Sequence, residues 1–199
     1  MALRYLALGD SYTIGEDVPS HARWPVQLVE KLRQDDVAIE DPCIVAVTGW
    51  TTDELSAGMD QANLASGYDL VSLLIGVNNQ YRNRSADDYR RELRALLLRA
   101  ITLADRRPER VVVVSIPDWG VTPFGHASGR NRQHIAHELD VFNAIARDEA
   151  TQAGGRFVNI TSISREHPSS VAADGLHPSA SQYTLWTEAI EPAVRAALA

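Results

Sequence analysis

The sequence predicts an α/β fold, a three-layer α/β/α sandwich around a parallel sheet of five strands. Three observations carry this expectation. Short, nearly continuous apolar runs recur along the chain; longer amphipathic runs alternate with them; and polar residues able to do chemistry follow the apolar runs directly. Strands buried on both faces lose the apolar–polar alternation of a half-exposed strand, as in a parallel sheet covered by helices. Parallel strands also need crossover connections, which interleaved helices supply.

The strand candidates are residues 3–8, 44–47, 70–75, 111–116 and 157–160, several of them nearly continuous Val, Ile and Leu. Between them, residues 23–33 place Trp24, Leu28, Val29 and Leu32 on one stripe, with Ser20 available as a cap. Residues 85–107 open with Ser85, carry Asp87 and Asp88 in the first turn, and close with Arg106 and Arg107 before Pro108. Acids first, bases last and proline beyond suit the helix dipole and proline sterics. A third helix is expected over 131–153, stopped by Gly154-Gly155. A shorter one begins at Thr52-Asp53, and the last covers 179–198. No repeat, low-complexity tract or linker interrupts the pattern, so one domain over residues 1–199 is expected.

Composition narrows the function classes. With 199 residues, 45% of them hydrophobic, the chain can bury a substantial core. A net charge of −7 argues against nucleic acid and against stable association with anionic membrane, which attract clustered Lys and Arg. No apolar run approaches the roughly 20 residues of a membrane helix. No signal-peptide pattern is visible ahead of the first strand candidate, so a cytoplasmic location is expected. The single cysteine, Cys43, excludes an internal disulfide; heading an apolar run, it is expected to be a small core residue.

In open parallel sheets, ligands bind at the carboxyl ends of the strands. Those ends carry Gly9-Asp10-Ser11, Thr48-Gly49-Trp50, Gly76-Val77-Asn78-Asn79 and Pro117-Asp118-Trp119, with Asp174-Gly175-Leu176-His177 before the last helix. A serine hydroxyl needs a base within hydrogen-bond reach to act as a nucleophile. His177 can be that base, and Asp174, three residues earlier, can orient its imidazole. The Gly-x-Ser-x-Gly elbow of α/β-hydrolases is absent, which disfavours that fold.

These blocks, in this order, resemble the SGNH (GDSL-type) serine hydrolases over residues 9–177. The resemblance implies a flavodoxin-like strand order and an esterase that needs no cofactor. It makes Ser11 the nucleophile, His177 the general base and Asp174 its orienting acid. The backbone N–H groups of Ser11 and Gly49 and the side-chain amide of Asn78 would form the oxyanion hole. The family often has Asp after that asparagine; here Asn79 implies altered hydrogen bonding around the loop. Trp50, Asn79, Tyr81 and Trp119, with Phe124 nearby, are candidates for substrate contact.

The expected activity is hydrolysis of small carboxylic esters, short acyl or acetyl, through an acyl-serine intermediate. A thioesterase or lysophospholipase could use the same triad, and a catalytically silent α/β module could bind a ligand at the same strand ends. Two features fit no catalytic assignment. Asp10 lacks the acidic partner and lysine of a phospho-acceptor site and is expected to brace the turn. His134 and His137, three apart on one helix, form an incomplete ligand set and suit a solvated face, so no metal is expected. The sequence leaves the oligomeric state open.

Overall fold

The computed structural model describes residues 2–199. Five strands, β1 (Tyr5–Gly9), β2 (Cys43–Ala46), β3 (Leu70–Leu74), β4 (Val111–Val114) and β5 (Arg156–Val158), form one sheet. They pair in the order β2-β1-β3-β4-β5, all parallel, which is the flavodoxin-like order. The three central strands are buried along their whole length, matching sequences that are apolar but for Ser72, whose hydroxyl pairs with Tyr5 OH at 2.8 Å.

The described residues form nine α-helices, seven between the strands and two after β5: α1 (Ser11–Ile14), α2 (Trp24–Gln34), α3 (Thr52–Gln61), α4 (Val77–Tyr81), α5 (Ala86–Leu103), α6 (Pro123–Ala127), α7 (Arg132–Gln152), α8 (Thr161–Glu166) and α9 (Ala180–Leu198). On one side α5 packs between α3 and α7, and on the other α2 packs against α9, giving the three layers. Ser85, Asn131 and Ser179 cap α5, α7 and α9, each accepting from a backbone N–H three residues on.

Several boundaries differ from the expectation. The cap of α2 is Arg23, and Ser20 instead starts a short 3₁₀ turn. Thr51, one residue earlier than expected, caps α3 in a capping box with Glu54. The run expected to 107 stops at Leu103, because Asp105 and Arg106 take positive φ values of 54° and 60°. Cys43 is exposed: β2 is an edge strand and Cys43 its first residue, so the apolar run is covered only further along.

The turn from β1 into α1 is tight. A Cβ at Gly9 would sit 2.1 Å from Thr13 Oγ1 and 2.5 Å from Leu74 O, so only glycine fits where β1 hands over to the helix that begins with Ser11.

Candidate active site

Four strand ends and the loop before α9 converge on one pocket of about 240 Å³. Its lining includes Ser11, Gly49, Asn78 and His177 together with Tyr12, Thr48, Val77, Tyr81, Trp119, Phe124 and Leu176. Residues 166 positions apart in sequence, Ser11 and His177, thus share one small cavity.

Ser11 is the first residue of α1, where the N–H has no acceptor within the helix and is available to a ligand. Asp10 caps the helix, its Oδ1 accepting from Tyr12 N–H at 3.1 Å. The other Asp10 oxygen, Oδ2, is buried with no hydrogen-bond partner among the described residues. Burial raises the Asp10 carboxyl from its ordinary 3.8 to about 7, against the opposing pull of the Tyr12 amide. Burial likewise pushes the Tyr12 phenol far up, with Asp10, Asp118 and Asp174 adding to the rise.

The loop ahead of α9 builds the histidine–aspartate pair. Asp174 Oδ1 accepts from the N–H groups of Leu176 at 2.9 Å and His177 at 3.0 Å. Its Oδ2 lies 2.5 Å from His177 Nδ1. Burial alone would raise the Asp174 carboxyl, but those two amides and the imidazole outweigh it and hold the group below its usual range. With Nδ1 directed at the carboxylate, Nε2 is the ring nitrogen left for other chemistry. The Tyr12 ring meets the imidazole edge-on at 5.7 Å. Phe124 N–H donates to Gly175 O at 3.0 Å, tying α6 to this loop.

On the opposite wall, Gly49 turns with φ +86°, and α4 presents Asn78. Asn78 Nδ2 donates one hydrogen to Trp50 O at 2.9 Å, leaving its second hydrogen for a ligand. Trp119, fully buried, donates from Nε1 to Gln80 Oε1 at 2.9 Å, and Gln80 Nε2 donates to Glu138 Oε2 at 2.7 Å. Tyr81 stands edge-on to Trp119 at 5.4 Å, and the Arg130 guanidinium lies over both rings.

Trp50 and Asn79, expected as substrate contacts, do not line this pocket. The Trp50 ring packs on Gly58 of α3, because glycine leaves room there for a large ring, so only its carbonyl bears on the site. Asn79 is fully buried and points away from the cavity. Its Oδ1 accepts from Thr52 N–H at 3.1 Å and its Nδ2 donates to Thr52 Oγ1 at 2.6 Å, near Glu92. It therefore braces the start of α3. Sequence reasoning missed Tyr12, Val77 and Leu176, although each is the chain neighbour of a motif residue: Ser11, Asn78 or His177. His134 pairs with Glu138, 3.2 Å away on the same helix face, and lies off the pocket.

A serine, an aspartate-held imidazole and backbone and side-chain amides on one pocket, at the carboxyl edge of a parallel sheet, are the parts of an acyl-transfer site. The family model described as GDSL-like Lipase/Acylhydrolase family matches residues 7–185, and the chain belongs to that family. It is accordingly a carboxylic ester hydrolase. Among solved structures, TesA is similar over 98% of this chain and 99% of its own, with a TM-score of 0.77 and 15% identity. The W215I variant of Axe2, an acetyl xylan esterase from Geobacillus stearothermophilus, has a TM-score of 0.76 and 19% identity, with 98% and 97% of the two chains covered. The lipase/acylhydrolase from Enterococcus faecalis has a TM-score of 0.69 and 21% identity, covering 97% and 95%. At these identities the likeness speaks for the fold. No curated protein matches the chain by sequence. Among the described residues, no helix is long and apolar enough to cross a membrane.

Proposed function

We propose that this chain is a serine esterase for short acyl esters, with Ser11 as nucleophile, His177 as general base and Asp174 as the residue that orients it. The observation that supports this most is the single pocket shared by Ser11, His177, Gly49 and Asn78. Ser11 Oγ attacks the ester carbonyl while His177 Nε2 takes its proton, and Asp174 steadies the imidazolium. The carbonyl oxygen, now an oxyanion, receives hydrogen bonds from the N–H groups of Ser11 and Gly49 and from Asn78 Nδ2. Collapse expels the alcohol, protonated by His177, and leaves the acyl group on Ser11. A water deprotonated by His177 then attacks the acyl carbon and releases the acid.

Pocket size favours a small substrate. Drug-sized ligands occupy sites of about 300–1,000 Å³, and a 150 Å³ cavity holds a benzene ring. About 240 Å³ therefore accommodates on the order of ten heavy atoms. The walls are Val77, Tyr81, Trp119, Phe124 and Leu176, which suit an acyl group without charge. The structural likeness to an acetyl xylan esterase adds acetyl groups on a sugar to the substrates worth testing.

The experiment is turnover of p-nitrophenyl esters with acyl chains from two to sixteen carbons, for the parent and Ser11→Ala, alongside fluorophosphonate labelling and mass spectrometry. The expectation is an adduct on Ser11, fastest turnover at the short end, and a loss of at least about 10³-fold in Ser11→Ala. Parent-rate hydrolysis by an intact Ser11→Ala protein would refute the mechanism. A maximum at long chains would favour a thioesterase or lysophospholipase on the same residues. No adduct and no turnover would favour a silent binding module.

A further inference from the structure

Gly49 is the flexible member of the candidate oxyanion hole. Lacking a Cβ, it populates positive and negative φ about equally, so the conformation of the turn that carries its N–H depends on the contacts that hold the turn. Around the position of an added Cβ, only Arg82 Nη2 comes within 4 Å. The Gly49–Trp50 peptide is held at both polar ends: Trp50 N–H donates to Val47 O at 3.2 Å, closing a turn over Thr48 and Gly49, and that same guanidinium donates from Arg82 Nη2 to Gly49 O at 2.7 Å.

The other arm of the guanidinium holds the same loop from its far end. Arg82 Nη1 lies 3.2 Å and 3.3 Å from the two Glu54 carboxylate oxygens. Glu54 Oε2 in turn accepts from Thr51 N–H at 2.8 Å and from Thr51 Oγ1 at 2.9 Å. Arg82 follows α4 directly and lies four residues after Asn78, its own N–H donating to Asn78 O at 3.0 Å. One helical turn thus carries the Asn78 amide, which holds Trp50 O, and the Arg82 fork, which holds Gly49 O and Glu54.

We propose that Arg82 is a positioning residue of the oxyanion hole: by binding the Gly49 carbonyl it helps the Val47–Trp50 turn bond hold the Gly49–Trp50 peptide, and with it the turn in which the Gly49 and Asn78 donors converge. This rests on the esterase reading above. Arg82 does not line the pocket and is assigned no contact with substrate. The function needs a guanidinium, because a lysine ammonium is a single point charge and cannot span a backbone carbonyl and a carboxylate with fixed fork geometry. Because the donors act on charge that develops only in the transition state, misplacing one lowers kcat and spares KM.

The test compares Arg82→Ala and Arg82→Lys with the parent and Ser11→Ala on p-nitrophenyl acetate, with thermal unfolding of each and an inhibition series with a phenylboronic acid that forms a tetrahedral adduct on the serine. The expected result for Arg82→Ala is a kcat lower by about 10- to 100-fold with KM within about twofold, and boronate affinity weakened by a similar factor. Millimolar guanidinium in the buffer should restore part of the kcat of Arg82→Ala and none of that of Ser11→Ala. Arg82→Lys, which keeps the charge and suits the case where the alanine variant fails to fold, should still lose at least about fivefold in kcat. A folded Arg82→Ala or Arg82→Lys protein with parent kcat overturns the proposal. So does a raised KM at unchanged kcat, which would make Arg82 a substrate contact. A parent whose turnover does not depend on Ser11 removes the esterase reading itself, and is distinguished by the Ser11→Ala control.

Discussion

Replacing Asp10 by Asn tests how the turn beneath Ser11 is built. The carboxyl is fully buried, one oxygen caps α1 and the other has no partner among the described residues. The titratable groups whose fields reach it are themselves unhelpful to a negative charge: the phenols of Tyr12, Tyr89 and Tyr183 are pushed up, and Asp118 and Asp174 lie near Tyr12. In the folded protein Asp10 titrates at about 7 against 3.8 ordinarily. Between those values the unfolded chain gives up a proton that the folded chain keeps. The stability contribution of the neutral carboxyl is therefore complete below about pH 4 and is lost as pH rises through 7. At about 1.4 kcal/mol per pH unit between the two values, ionising Asp10 costs the fold on the order of 4 kcal/mol above pH 7. Asparagine has the same shape, keeps the capping oxygen and cannot ionise. Asp10→Asn should match the parent near pH 4 and exceed it by about 2–4 kcal/mol at pH 8. Urea unfolding followed by circular dichroism from pH 4 to 9, with constant m-values, measures the difference. A difference that does not change with pH, or an asparagine variant less stable at pH 8, would refute the reasoning.

Three further outcomes follow from the packing. Gly58→Ala places a Cβ 2.2 Å from Trp50 Cη2 and should cost about 1–3 kcal/mol in stability; because Trp50 O holds Asn78, kcat should fall as well. Glu149 is buried between α5 and α7, with Arg90 at 2.8 Å and Arg94 at 2.7 Å, and Arg94 foremost holds its carboxyl below the usual range. Glu149→Gln should lower stability by about 1–3 kcal/mol in chemical denaturation at pH 7. The gap should close as pH falls through the lowered Glu149 value, because a depressed carboxyl contributes stability only while ionised. Tyr81→Ala removes the outer, half-exposed wall of the pocket beside Trp119, so kcat/KM for a hexanoyl ester relative to an acetyl ester should rise by about tenfold.

The sequence by itself determined the layers and marked the strand ends that line the candidate pocket. Residues 70–75 and 111–116 announce central strands because strands covered on both faces are apolar at nearly every position, Ser72 and Ser115 being the exceptions. Ser85, Asn131 and Ser179 announce helix starts because capping is local, spanning three residues. The Asp174–His177 pair is legible for the same reason: the aspartate bonds the backbone and ring of a residue only three positions on. What lies between distant segments was not legible. Whether the apolar run at Cys43 is an edge or a centre depends on strand order, which no local run encodes. Trp50 and Asn79 stand beside motif residues, yet their side chains turn inward because Gly58 and Thr52 offer a groove and hydrogen-bond partners. The Arg82 clasp on Gly49 spans 33 residues. Asp10, fully buried, likewise has remote neighbours in Tyr89 of α5 and Tyr183 of α9. Local rules fix elements and caps, whereas side-chain direction in a loop is fixed by whichever remote surface is there to receive it, and only the assembled fold supplies that surface.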